Sequence, residues 1–442
     1  MLFSNRDLKK LIIPLIIEQL LAVTVGFADT IMVSSVGEAA VSAVSLVDGI
    51  YILLINVFAA LGTGGAVVAA QFIGQNNHQK ARYAAKQLLL ITALLSIFIM
   101  IIVVVFHVNL LHVIFGQVEN DVMINAETYF FFSALSYPFI ALYNSGAALF
   151  RAVGNSKISM LNSFVMNVIN VVLNAVFIYI CHWGVFGAVF ATLIARTVAC
   201  IIILYMLTRK KSELYIEDYH HWKFDLSYIQ KILTIGIPSG LENGMFQLGK
   251  ILVQSLITTF GTYSIAANAV SSNLCQMQII PGMALGLAMV TVVGQCVGAN
   301  DYQQAKYYIK KIMKITYISM ITLIVVLLLA TPTILKLYSL SQETIDLAYQ
   351  CIFLHGFIAA VAWPLAFTFP NALRAANDAK YTMLVSAMSM LTFRLVMSYV
   401  IGGMLGLGLL GVWIAMFIDW IVRAIFFVGR YFSEKWMNRQ LI

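Results

Sequence analysis

Long apolar runs closed off by short basic loops constrain this chain more than any other feature. A span of the bilayer needs roughly 20 apolar residues, and about twelve such runs occur. They lie near 9–33, 45–73, 86–110, 125–150, 158–181, 184–207, 229–258, 267–297, 308–332, 346–372, 381–403 and 407–431. Of 442 residues, 61% are hydrophobic and 10% are charged, against about 45–50% and about 25% in a soluble domain. No single fold hides that much apolar surface from water, so the chain belongs in a membrane. The runs are continuous, not alternating ten-residue segments, which points to helices and away from a β-barrel. The expected fold is an all-α integral membrane protein of about twelve transmembrane helices.

The net charge of +8 could suggest a nucleic-acid partner, but its distribution excludes one. Lys and Arg gather in alternate loops: Arg6, Lys9 and Lys10; Lys80, Arg82 and Lys86; Arg151 and Lys157; Arg209 to Lys211; Lys306 to Lys314; Arg374 and Lys380; Arg430 and Arg439. The opposite loops hold Lys336. The positive-inside rule then puts both termini in the cytoplasm of a cell (plasma or inner) membrane, in agreement with an even number of spans. The first apolar run carries Pro14 and Glu18 and lacks an A-x-A exit, so it is expected to be a retained helix and not a signal peptide. The five cysteines sit in apolar segments and are expected to be small core residues.

The two halves echo each other. "AAQFIGQNNHQKAR" and "VGQCVGANDYQQAK" match at Gln71/Gln295, Gly74/Gly298, Asn76/Asn300 and Ala81/Ala305, an offset of 224. The same offset pairs Pro14 with Pro238, Glu18 with Glu242, Gly37 with Gly261, Gly62 with Gly286, Gly184 with Gly408 and Gly187 with Gly411. "FRAVGNSK" and "LRAANDAK" match at an offset of 223. Six spans per half give both halves the same orientation. Two six-helix lobes related by a pseudo-two-fold axis along the membrane normal are expected, the plan of transporters that alternate access by rocking two bundles. The expected division is an N-lobe over 1–207, a solvated cytoplasmic linker over 208–228 and a C-lobe over 229–442.

These motifs resemble those of the MATE (multidrug and toxic compound extrusion) exporters of the MOP superfamily, bacterial type. "ADTIMVSSVG" resembles their helix-1 signature and "QFIGQNNHQKAR" their loop between helices 2 and 3. "FRAVGNSK" and "LRAANDAK" resemble their "LRGxGDxK" loops, and "GVFGAVFATLIAR" their helix-6 signature. The resemblance covers nearly the whole chain. It implies two lobes around a central cavity and efflux driven by inward Na+ or H+. In one branch an N-lobe ion site has a helix-1 aspartate, matched by Asp29, a helix-5 asparagine, matched by Asn170, and a helix-6 threonine, matched by Thr192. That site's helix-5 aspartate falls on Asn174 here, which removes one charge. Asn144 is a further candidate ligand, and a Na+ at Asp29 would be the one metal implied. Another branch uses C-lobe acids in helices 7 and 10. Glu242 stands in helix 7, nearer its start than in that pattern, and helix 10 has no acid.

A charge at mid-span costs about 2.5–3.5 kcal/mol on the insertion scale, so each needs a reason. Asp29 lies 11 residues after Glu18, three turns plus roughly 20°, so the two share one helix face about 16 Å apart. A shared acidic face suits a cavity lining, and Asp29 is the expected coupling residue. Glu18 and Glu242 each follow a helix proline by four residues, where a backbone carbonyl lacks its donor. They are candidates for the substrate cavity or for tying the kinked helices. Lys250 could act as an internal counter-ion that a cationic drug displaces, or be satisfied by local carbonyls. Asp419 and Arg423, spaced i, i+4, are expected to pair. Arg196 and Arg394 are expected to have paired structural roles. Met245, Phe246, Met277 and Met283 are candidate cavity residues, since thioethers and rings adapt to varied ligands.

The resemblance implies an ion-coupled antiporter exporting small amphipathic, cationic organic compounds, and the intramembrane charges fit that expectation. One proton moving down 100 mV contributes about 2.3 kcal/mol, enough for roughly a 50-fold solute gradient. There is no GxxxxGK[ST] motif for ATP, and no HExxH or GxSxG motif for an intramembrane enzyme. No cofactor is expected beyond the transported ion, and the expected partners are the small-molecule substrates and the bilayer, with the chain a monomer. A lipid-linked oligosaccharide flippase is the alternative. It would need more spans and a strongly cationic cavity.

Overall fold

The computed structural model describes residues 2–116, 118–210, 213–216, 223–336 and 340–439. Twelve helical rods follow one another along the described residues. They are α1 (Asn5–Ser34), α2 (Glu38–Gly74), α3 (His78–Phe115), α4 (120–152), α5 (Ser156–Ile180), α6 (Gly184–Thr208), α7 (Leu226–Thr258), α8 (262–298), α9 (Tyr302–Leu335), α10 (342–375), α11 (Ala379–Met404) and α12 (Gly408–Phe432). Ten helices among the described residues are long and apolar enough to cross a membrane. The other two rods have visible reasons for falling short. Ser136, just before Pro138, breaks α4 into two 16-residue helices, and α7 spends its length on Lys231, Glu242, Asn243 and Lys250. The chain is a multi-pass, all-α membrane protein.

Two compact units divide the chain by contact. One is Asn5–Gly240; the other is Leu241–Ile442 with Met1–Ser4. In the first, α1 lies along α5, and α2 along the second half of α4. The α2–α7 crossing is close because a Cβ on Gly64 would meet the Ile232 carbonyl oxygen at 2.4 Å. In the second unit, α8 packs on α10, α9 and α12, and α12 on α11, around Trp363, Trp413, Phe417 and Trp420. Here Phe3 is buried: its N–H donates to Tyr308 Oη (3.0 Å), which donates back to its carbonyl (2.6 Å).

The repeat is written in the backbone as well. Left-handed or positive φ occurs at Gly37 and Gly261, Asn76 and Asn300, His182 and Gly406, and Gly184 and Gly408, four pairs 224 apart, and at Gly154 and Asn377, 223 apart. The turn after α2 shows why. Asn76 takes φ 56°, Asn77 N donates back to Phe72 O (2.9 Å) to close the helix end, and Asn77 Oδ1 then accepts from Lys80 N (3.1 Å) to start α3. After α8 the same steps fall to Asn300, to Asp301 N on Cys296 O (3.0 Å), and to Asp301 Oδ1 accepting from Gln304 N (2.9 Å). Asparagine tolerates the left-handed turn, and Asn or Asp caps the next helix.

Of the expected linker 208–228, residues 211–212 and 217–222 lie outside the described residues. The rest is held to the first unit and is not a loose strand. Arg82 lies over the Tyr215 ring (3.8 Å) and donates to the Glu213 carbonyl (3.1 Å); Gln87 bonds Lys223 O (2.7 Å) and Asp225 N (3.1 Å). Leu214 and Ile216 are buried.

Candidate functional site

Parallel packing of α1 on α5 sets the site. The 11-residue step from Glu18 to Asp29 on α1 is matched by the step from Ser159 to Asn170 on α5, so each acid meets a polar partner. Ser159 Oγ donates to Glu18 Oε2 (2.8 Å), and Asn174 Nδ2 donates to Asp29 Oδ1 (2.8 Å). Asn170, its amide nitrogen turned toward α1, donates to Asp29 Oδ1 (2.8 Å) and Oδ2 (3.1 Å) and accepts from Thr192 Oγ1 on α6 (3.0 Å). The acidic face of α1 meets α5, with Glu18 buried and Asp29 keeping part of its surface exposed.

Asp29, Asn170, Asn174 and Thr192 are therefore one cluster. Asn144 is not in it: its side chain bonds no described residue, and its carbonyl oxygen lies at the close approach of Gly62 on α2. Asn174 Oδ1 is buried with no partner among the described residues, a free acceptor beside the carboxylate. Arg196 and Asp48 complete the electrostatic surroundings of Asp29. Arg196 Nη1 donates to Ser136 Oγ at the break in α4 (2.6 Å), and its guanidinium lies 4.3 Å from the Tyr51 ring centroid. Its near partners are thus a hydroxyl and a ring, not the acid expected of a paired role. Sequence reasoning missed Asp48. α2 begins at Glu38, ahead of its apolar run, so Asp48 stands almost three turns inside the helix. An acid at the mouth of an apolar run was the available signal.

Glu18 and Glu242 are not open cavity acids. Glu18 Oε1 pairs with Arg151 Nη1 (3.2 Å). Glu242 Oε1 pairs with Arg374 Nη2 (2.7 Å) and accepts from Ser386 Oγ (2.6 Å), while Oε2 accepts from Thr382 Oγ1 (3.4 Å). Both carboxylates are buried. Arg151 and Arg374 belong to "FRAVGNSK" and "LRAANDAK". Each repeat thus uses its loop arginine to tie the kinked first helix of its half to the fourth and fifth helices, the architectural role of the two possibilities.

In the second unit Asp419 accepts from Arg423 Nε (2.9 Å) and Ser389 Oγ (2.6 Å), the expected local pair. Phe246 is seated among cations: Lys250 Nζ lies 5.5 Å from its ring centroid, Arg394 5.4 Å and Arg423 5.5 Å. Nearby, Gly249 packs against the Met390 side chain of α11. Met245 and Met277 are half-buried and Met283 is exposed. Arg394 has neither an ion pair nor a side-chain hydrogen bond to a described residue, so the paired role expected of it is not what the structure shows. Among the described residues no group of three or more His, Cys, Asp or Glu could hold a metal ion.

Similarity to known proteins agrees with this geometry. The sequence model described as MatE matches residues 14–176 and again 238–400, two copies 224 apart at both ends, the same offset as the repeated residues. The uncharacterized transporter YisQ of Bacillus subtilis is 26% identical over 96% of this chain and 94% of its own. The probable multidrug resistance protein YoeA of Bacillus subtilis is 24% identical over 92% and 88%. An outward-facing multidrug resistance MATE family transporter of the MOP superfamily superposes with a TM-score of 0.91, at 22% identity and 98% and 96% coverage, a likeness of fold. With the family matched in both halves, this chain belongs to the MatE family.

Proposed function

We propose that this chain is a secondary antiporter that exports small amphipathic organic compounds against inward flow of H+ or Na+, with Asp29 as the coupling group. The carrying observation is the Asp29 cluster. A carboxylate in a span is held by Asn170 and Asn174 from α5 and, through Asn170, by Thr192 from α6. Binding a cation at Asp29 must reorganise those amides, so ion occupancy is linked to the α1–α5–α6 packing. The two amides can turn either nitrogen or oxygen to Asp29, so the cluster suits a proton or a Na+ at the carboxylate. YoeA is described as a probable multidrug resistance protein, which supports organic cargo.

The orientation we propose keeps both termini cytoplasmic in the cell membrane, with lobes 1–207 and 229–442. A fixed preference for cationic cargo is not part of the proposal, because three cations and one acid surround or neighbour Phe246. The test is flux by purified protein in proteoliposomes, with H+ and Na+ gradients imposed separately. Export of organic dyes driven by at least one gradient is expected; export indifferent to both refutes the proposal.

A further inference from the structure

The charges around Phe246 do not balance. Lys250, Arg394 and Arg423 all lie within 5.5 Å of its ring centroid, and the near acid, Asp419, is taken by Arg423 Nε (2.9 Å) and Ser389 Oγ (2.6 Å). Asp419 also attracts Arg394 from beyond ion-pair distance, so three cations share one near acid and the cluster keeps a net positive charge. Arg394 is 9% exposed, its Nε has no partner, and no described side chain or carbonyl accepts from its guanidinium. Lys250 is exposed, eight residues before the end of α7, with no acid in ion-pair reach. A lysine in an apolar helix is costly against lipid, and an anionic partner would relieve that cost.

A buried guanidinium with no acid in ion-pair contact is costly, and a second cation beside it raises the cost. Local carbonyls do not relieve either group, which removes the simple structural explanation. The backbone is unusual at the same place. Arg394 sits in a π-helical turn, Met390–Val396, and Phe367, which lies 5.4 Å from the Arg423 guanidinium, sits in another, Pro364–Thr368. Such turns re-aim side chains and collect at binding sites. The cations are arranged on aromatic faces, Phe246 and Phe367, whose centroids are 5.8 Å apart. Aromatic faces beside unpaired cations suit a ligand with an apolar body and an anionic head.

We propose that Lys250, Arg394 and Phe246 form a binding site for an anion, a carboxylate, sulfonate or phosphate, that favours one joined to an apolar or aromatic body. Arg394 and Lys250 take the anionic head, and the Phe246 and Phe367 rings take the body. Arg423 remains with Asp419 and adds long-range attraction. The head group can belong to a transported compound, to an acidic lipid or to free phosphate, and all three share the chemistry that the site reads. The site stands on binding alone and does not rest on ion coupling.

The test uses the full chain in phosphatidylcholine nanodiscs, with fluorescence anisotropy of fluorescein, an aromatic dianion, and of rhodamine 6G, an aromatic cation. Saturable fluorescein binding is expected, weakened about ten-fold or more in Lys250→Gln and kept in Lys250→Arg, with rhodamine 6G not weakened. Arg394→Lys, which keeps the charge if Arg394→Gln does not fold, should retain most of the affinity. Competition by phosphatidylglycerol in the disc assigns the site to lipid head groups. Competition by inorganic phosphate assigns it to free phosphate. Competition by aromatic carboxylates alone assigns it to cargo. Equal fluorescein affinity in wild type and Lys250→Gln overturns the proposal, as does equal loss of both dyes. No gradient is present, so loss of coupled flux with fluorescein binding intact refutes the transport role and not this site.

Discussion

Glu242→Gln should destabilise the second unit, and should do so through Arg374. In the structure the carboxylate is 8% exposed and the guanidinium 14%, with Oε1 to Nη2 at 2.7 Å. Two hydroxyls, Ser386 at 2.6 Å and Thr382 at 3.4 Å, complete the carboxylate's shell. Gln keeps the shape and removes the charge, which leaves Arg374 buried without its acid. Its remaining bond, Nη1 to Asn371 Oδ1 (2.8 Å), is to a neutral group. Removing one partner of a buried pair costs about 3–5 kcal/mol, whereas removing both is nearly neutral. At about 2–4 °C per kcal/mol for a unit of this size, Tm should fall by about 6–20 °C. The double variant Glu242→Met with Arg374→Met should recover most of that loss. The repeat-related Glu18→Gln should cost less, because its pair is longer, 3.2 Å, and more exposed, at 10% and 16%. Scanning fluorimetry of detergent-solubilised protein reads all three against wild type. A Glu242→Gln protein with unchanged Tm and lost transport would show a cavity acid and refute the architectural role.

Three further outcomes follow from the same geometry. Gly411→Ala should destabilise by about 1–3 kcal/mol, because its Cβ would meet backbone atoms of Gly402 at 2.7 Å and no side chain can swing away; thermal melts check it. Asp301, between α8 and α9, is held below the usual carboxylate range by the N–H of Gln304 and by the Gln304 side chain. A lowered folded value stabilises above the ordinary carboxylate value and is lost as pH falls through the folded one, so the Tm advantage of wild type over Asp301→Ala should be full at pH 7 and shrink below about pH 4. Asn170→Ala should weaken coupling more than Asn144→Ala, since Asn170 touches Asp29 and Asn144 does not; flux under an imposed gradient separates the two.

The fold was readable because bilayer thickness and backbone satisfaction leave few solutions for apolar runs, and because the repeat left paired residues such as Asn76 and Asn300. Helix periodicity placed Glu18 and Asp29 on one face correctly. Periodicity alone does not say which neighbour that face meets, so its contacts with α5 were not legible. The arginine ties of Glu18 and Glu242 were hidden because their partners lie over 130 residues away, although both stood in view in the repeated loops. Phe246 was among the candidates on composition. The cations around it come from α7, α11 and α12, and only packing brings those helices together. Asp48 was overlooked because α2 is longer than its apolar run.

The central claim is that Asp29 couples ion entry to export. Asp29→Asn keeps the size and one acceptor oxygen, puts an amide N–H at the other oxygen's position, and can neither hold a proton in exchange nor attract a cation. In proteoliposomes, this variant should fold with a Tm near wild type, bind organic dye, and lose export under both a proton and a sodium gradient. Export by Asp29→Asn at the wild-type rate, driven by either gradient, would contradict the account.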